Sequence, residues 1–247
     1  MKMGFVVLMV VSLFVLAPTS AEDIVFDPVN FGLLTQSDFD NFITEFGTAI
    51  SFLPLTPAKT LGVTGLDVSV EVVVTDINHN ANYWKYLVEG NDTTRYLPIP
   101  RLHVQKGLPG KIAIGGMVAA VPGSNIRVWG GEIKYGVVKG GAFMPAVTTR
   151  ASFSQLDGVD DIDLETYSLD LLISKGFLMI TPYGGVSALH IEGQETSALV
   201  TGLNKVEEDF VRLLLGCQLY PFPFCDVTAE AAFGDVPQYG LKAGFRF

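Results

Sequence analysis

The 247-residue chain is poor in charge and has few of the residues that do chemistry. Only 17% of it is Asp, Glu, Lys or Arg, against about 25% in ordinary soluble domains. It has 3 His and 2 Cys. His79, His103 and His190 form no HExxH pair, and no two have helical metal-ligand spacing. GxSxG, a P-loop and CxxC are absent, so no familiar nucleophile, phosphate cradle, redox or zinc pattern is written in the chain and no cofactor is expected. A basic excess is lacking too. The formal charge is −10, which argues against a nucleic-acid partner. After the first twenty residues no apolar run approaches the roughly 18 residues of a transmembrane helix.

Against that lack of charge stands an excess of grease. Hydrophobic residues make up 49% of the chain and its mean hydropathy is +0.38. The N-terminus "MKMGFVVLMVVSLFVLAPTSA" reads as a secretory signal. It has Lys2, an apolar run from Phe5 to Leu16, and small residues suited to cleavage after Ala21. Removing residues 1–21 takes Lys2 away and moves the charge from −10 to −11. A greasy exported chain without a membrane helix is either a large soluble β-protein or a transmembrane β-barrel. A barrel's outer face adds hydrophobicity without a long apolar run.

Residues 22–65 differ from the rest. "SDFDNFITEFGTAISFL" places Phe39, Phe42, Ile43, Phe46, Ile50 and Leu53 on one helical face, with Ser37 as N-cap and Pro54 and Pro57 as terminators. Such a helix either packs its aromatic face on the rest of the protein, in the periplasm, or plugs a barrel.

From Leu66 to Phe247 the pattern is β. Ten strands are expected, with eight or twelve as alternatives: near 66–76, 97–106, 110–121, 125–137, 144–155, 163–174, 177–191, 208–220, 224–233 and 238–247. Most have the 9–11 residues a tilted strand needs to cross a bilayer. Leu66, Val68, Val70, Val72 and Val74 alternate with Asp67, Ser69, Glu71 and Thr75, and the other strands alternate similarly. Even-numbered connections are short ("KGLPG", "KGGAFMP", "SKGF", "YPFP"). The odd ones include the long ones, such as residues 76–96. That sorting fits an antiparallel barrel with periplasmic turns, external loops and an apolar outer face.

Barrel pairing makes charge predictions. Asp67 with Arg246 and Glu71 with Lys242 both sum to 313, so one register closes the barrel on both pairs. A hairpin centred on Asp160 puts Arg150 opposite Asp170. A hairpin centred on Pro221 puts Arg212 opposite Glu230 and Cys217 opposite Cys225, near disulfide distance in an oxidising compartment. One centred on Val236 puts Glu230 opposite Lys242 and Asp226 opposite Arg246. The nine charged residues paired in this way form a lumen charge ladder. It either fills and rigidifies a narrow barrel or lines a solute path. Tyr83, Trp84, Tyr86 and Tyr96 at the loop end, and Phe177, Tyr220, Phe222, Phe224, Phe245 and Phe247 at the turn end, are expected at the membrane interfaces. Asp157, Asp160, Asp161 and Asp163 lack the calcium-loop pattern and read as a solvated acidic loop.

The closing "YGLKAGFRF" resembles the last strand of bacterial outer-membrane β-barrels. In that class a terminal Phe with alternate apolar residues before it is the signal read by the barrel-assembly machinery. Tyr239, Leu241, Phe245 and Phe247 match it. Over most of the mature chain, "LTQSDFDNFITEFGTAISFLPLTPAKTLGVTGLDVSVEV", "PRLHVQKGLPGKIAIGG" and "LDLLISKGFLMITPYGGV" resemble a family of uncharacterised proteobacterial outer-membrane barrel proteins. The resemblance implies an outer-membrane location, with lipid and the assembly machinery as partners, and it carries over no activity. The functions to weigh are a structural barrel or narrow porin-like conduit for small solutes, a surface-binding barrel acting through its external loops, and an enzyme using loop-end carboxylates with His79.

Overall fold

A computed structural model describes residues 23–24, 34–88, 94–141, 143–197 and 202–247. The signal segment, 1–21, lies outside the described residues. Helix α1 (Gln36–Ile50) comes first, then β1 (Leu66–Asp76), a short helix α2 (Asn82–Leu87) and nine more strands. These are β2 (Tyr96–Leu108), β3 (Ile112–Ala120), β4 (Arg127–Lys139), β5 (Ala146–Asp157), β6 (Ile162–Ser174), β7 (Ile180–Glu195), β8 (Val206–Phe222), β9 (Cys225–Phe233) and β10 (Gln238–Arg246). Each strand pairs antiparallel with its neighbours in sequence, and β10 pairs with β1, so the sheet closes into a ten-stranded barrel.

Period-two alternation decides which side each residue faces. In β1, Asp67, Ser69, Glu71, Val73 and Thr75 point inward and are buried, while Val68 on the other face is exposed. Leu102, Val104, Ile114, Val118, Ile133, Leu169, Leu171, Val186, Val211, Leu213, Leu215 and Leu241 repeat that exposure around the wall, giving an apolar outer surface. A polar lumen inside an apolar skin is the inverse of a soluble domain and suits a lipid solvent.

The closing register is the one with sum 313, pairing Asp67 with Arg246 and Glu71 with Lys242. Arg150 lies opposite Asp170. Two hairpins depart from expectation. The β8–β9 turn is centred not on Pro221 but on Pro223 and Phe224, with Phe224 in the left-handed region (φ 70°) and a bulge between Leu219 and Phe222. Cys217 therefore faces Ala229, Cys225 faces Phe222, and both thiols are free. The β9–β10 hairpin is centred one residue earlier than Val236, so Glu230 faces Gly240 and Asp226 faces Gly244.

Helix α1 starts two residues earlier than the sequence suggests. Thr35, not Ser37, is the N-cap, in a capping box with Asp38. Thr35 Oγ1 accepts from Asp38 N (3.2 Å) and the Asp38 carboxylate accepts from Thr35 N (3.1 Å). The helix ends at Ile50, before Pro54. Its aromatic face does pack on the rest of the protein, but the surface it meets is the inner wall of the barrel.

Candidate functional site

Among the described residues the lumen is where charge, burial and an irregular segment converge, and it is built in three layers. At the loop end, Phe39, Phe42, Ile43, Phe46 and Ile50 of α1 pack on Met117, Val128, Leu164 and Ile191 of the wall. The described first part of the long β1–β2 connection, up to residue 88, folds over this layer. Trp84 of α2 lies edge-on to Phe42, with ring centroids 5.1 Å apart. Glu45 accepts from Tyr83 Oη (3.0 Å), Trp84 Nε1 (2.5 Å) and Asn78 N (3.1 Å), fixing the lid to the helix. Burial, with Glu45 alongside, pushes the Tyr83 phenol up from its ordinary value. Tyr83 and Trp84 are thus core residues and not members of an aromatic girdle. Tyr96 is exposed as expected, and Trp129, Phe153, Tyr167 and Tyr239 are exposed with it at this end. Trp129 and Phe153 meet edge-to-face at 5.2 Å.

The middle layer is the charge network. Glu71 accepts from Arg101 Nε at 2.8 Å and meets His103 Nδ1 at 2.9 Å. His103 Nε2 reaches Glu132 at 3.2 Å, and Gln105 and Arg150 both donate to Glu132 as well. Arg150 Nη1 also donates to Asp170 at 2.6 Å. Lys242 Nζ donates to Asp67 at 2.9 Å, and Arg246 donates to the same carboxylate at 2.8 Å and 3.0 Å. The ladder residues are all buried except the partly buried Arg246.

Three of them do not pair as the sequence suggests. Arg212 meets no carboxylate among the described residues. It donates to Ser51 Oγ (2.9 Å), Gln238 Oε1 (2.7 Å) and Ser187 Oγ (3.2 Å). Glu230 accepts from Tyr183 Oη (2.6 Å) and from the backbone N–H of Leu55 (3.1 Å), not from Arg212 or Lys242. Asp226 accepts from Gln218 (2.8 Å), not from Arg246. The displaced hairpin registers are the cause, and neutral partners replace the missing ions: acceptors for Arg212, donors for Glu230 and Asp226.

The partner that sequence reasoning missed is the backbone of residues 50–58. It runs through the lumen in extended form and hands its carbonyls to wall cations. Arg150 Nη2 donates to Phe52 O (2.8 Å), Arg101 Nη1 to Ser51 O (3.3 Å) and Lys134 Nζ to Pro57 O (3.4 Å). Ser154 Oγ donates to Ile50 O (2.9 Å), and Thr148 Oγ1 to Ala58 O. The Phe52 ring sits against the Arg150 guanidinium (4.7 Å from the ring centroid) and edge-on to His103 (4.9 Å). Arg101, His103 and Gln105 share one strand parity, as do Glu132 and Lys134. That alternation marks them as lumen residues, but nothing local marks a carbonyl of residue 52 as their partner.

Wall glycines leave room for the segment. A Cβ on Gly240 would lie 2.6 Å from Leu55 Cδ2, and one on Gly193 would lie 2.6 Å from Ile43 Cδ1. Leu55 itself takes a left-handed backbone (φ 45°), rare for a branched residue, which aims its N–H at Glu230.

At the turn end Phe177, Phe222, Phe224 and Phe247 are exposed. Tyr220 points into the lumen, donating to Gln218 (2.6 Å) and accepting from Arg246 (2.7 Å). Among the enzyme candidates, Asp76 is taken by Arg95 in a two-pronged pair at 2.7 Å and 2.8 Å. Among the described residues no group of three His, Cys, Asp or Glu converges as metal ligands would.

No protein-family model matches the chain, and no curated protein sequence is similar to it. Solved structures similar to it include Ail, the attachment invasion locus protein of Yersinia pestis (12% identity, TM-score 0.37, covering 74% of this chain and 98% of that one). Others are the N-terminal β-barrel domain of Pseudomonas aeruginosa OprF (13%, 0.33, 75% and 99%) and the translocator domain of the autotransporter NalP from Neisseria meningitidis (9%, 0.40, 74% and 88%). The architecture rests on this chain's own register and surface. A closed, antiparallel, ten-stranded wall, apolar outside and charge-paired inside, is that of an outer-membrane β-barrel.

Proposed function

We propose that the protein is a closed structural barrel of the bacterial outer membrane, held shut by its own N-terminal segment, and not a resting conduit. The observation that carries this reading is the bonding of residues 50–58 to wall side chains from β2, β4, β5 and β9. A solute path needs a continuous aqueous lumen. Here the loop half is filled by aromatic side chains and the middle by paired charges and backbone. Surface display follows from the same design, because a rigid filled barrel is a stable mount for its long loops.

Planar-bilayer recording tests the reading. Heat-modifiable, correctly folded protein is expected to show no steady conductance at neutral pH. A variant lacking residues 36–58, if it folds, is expected to conduct. Stable single-channel currents from the full chain would overturn the proposal.

A further inference from the structure

The lumen does not close flush at the turn end. Below the interior segment lies a cavity of about 410 Å³, bounded by Lys59 of the segment, the β4–β5 and β6–β7 turns, and the ends of β8 and β10. Its lining contains Lys59, Lys139, Lys175 and Arg246 and no Asp or Glu. The four turns at this end (residues 106–111, 139–145, 174–179 and 220–224) contain four Lys and no acid. Behind the cavity wall Asp67 is paired with Lys242 and Arg246, and Asp226 accepts from Gln218 through Oδ2 only. Lys175 Nζ donates to Gly141 O at 2.9 Å and to Met144 O at 3.4 Å, tying the two turns together. Lys59 and Lys139 are exposed, and neither makes an ion pair among the described residues. Low-dielectric walls carrying charge of one sign focus the potential in such a pocket. Lysines serve phosphate as point charges and do not need the flat fork of an arginine–carboxylate pair. Exposed Met144 and Leu178 give the mouth an apolar rim.

We propose that this cavity binds a phosphate-bearing anion. The phosphate could arrive free in solution or as the headgroup of an anionic phospholipid whose chains lie along the apolar rim. The test uses the full chain in zwitterionic micelles, with two probes. Inorganic phosphate is followed by equilibrium dialysis, and phosphatidylglycerol doped into the micelles is followed by native mass spectrometry. The proposal expects one saturable site for at least one probe. It also expects about tenfold or greater weakening in the double variant Lys59→Gln/Lys139→Gln, with unchanged heat-modifiable mobility and no effect of Lys85→Gln at the loop end. Phosphate binding alone assigns the free anion, and retention of phosphatidylglycerol alone assigns the headgroup. Failure of both probes to bind, or binding indifferent to the two lysines, would overturn the proposal.

Discussion

Arg150 shows how the lumen is held at the level of single residues. It is buried, bonded to Glu132 and Asp170, capped by the carbonyl of Phe52 and packed on that ring. Removing it would leave two carboxylates desolvated without their cation. Arg150→Met is therefore expected to destabilise the folded barrel by about 3–5 kcal/mol, read from the midpoint of urea unfolding in lipid vesicles. Arg95→Ala breaks only the solvent-screened pair with Asp76 and should leave the midpoint in the same assay essentially unchanged. The cysteines give a second residue-scale check. Cys217 and Cys225 sit opposite Ala229 and Phe222, so unfolding without reductant should expose two alkylatable thiols by mass. A mass showing none would mean the β8–β9 register is wrong.

At the scale of elements, the interior segment and the wall are fitted to one another. Gly240 in the last strand gives up its side chain so that Leu55 can approach, and the left-handed Leu55 presents its N–H to Glu230. Gly240→Leu would overfill that contact. It is expected to cost about 1–3 kcal/mol and to make residues 50–60 accessible to protease, while the strands stay paired. Unchanged protection of the segment would show that Leu55 does not depend on the bare backbone at 240. The strand carrying Gly240 thus does three jobs: it closes the barrel on β1, turns Tyr239 and Leu241 outward, and sends Lys242 to Asp67.

For the whole molecule the path of the chain has a topological consequence. Residues 23–24 are tied to the β3–β4 loop: Asn125 Nδ2 donates to Ile24 O at 2.9 Å, and Asn125 N donates to Asp23 Oδ1 at 2.7 Å. From residue 34 onward the described chain descends through the lumen and enters β1 at Leu66, where Leu66 N bonds Phe247 O at the turn end. Asp23 and Phe247 therefore lie at opposite faces of the membrane. In a Cys217→Ser/Cys225→Ser background expressed in a Gram-negative host, Asp23→Cys should react with an impermeant maleimide on intact cells, as should Lys205→Cys. Leu178→Cys at the turn end should react only after the cells are opened. Equal protection of Asp23→Cys and Leu178→Cys would contradict this threading.

The sequence by itself determined what is local. Strict alternation marked out about ten strands, with eight or twelve still open, and their inward and outward faces, because a strand repeats every two residues whatever it packs against. The same parity put Asp67, Glu71, Lys242 and Arg246 inside, and the shared sum set their closing register. Tertiary structure decided what depends on turns and on distance. A left-handed Phe224 and a bulge moved the β8–β9 pairing, separating Cys217 from Cys225 and Arg212 from Glu230. The partners of Arg101, Arg150 and Lys134 turned out to include backbone carbonyls of residues 51–57. A carbonyl is the same at every position, so no residue letter announces that role. It exists only because the barrel is too narrow for both an empty lumen and unsatisfied charge, and the chain's own N-terminal segment settles both.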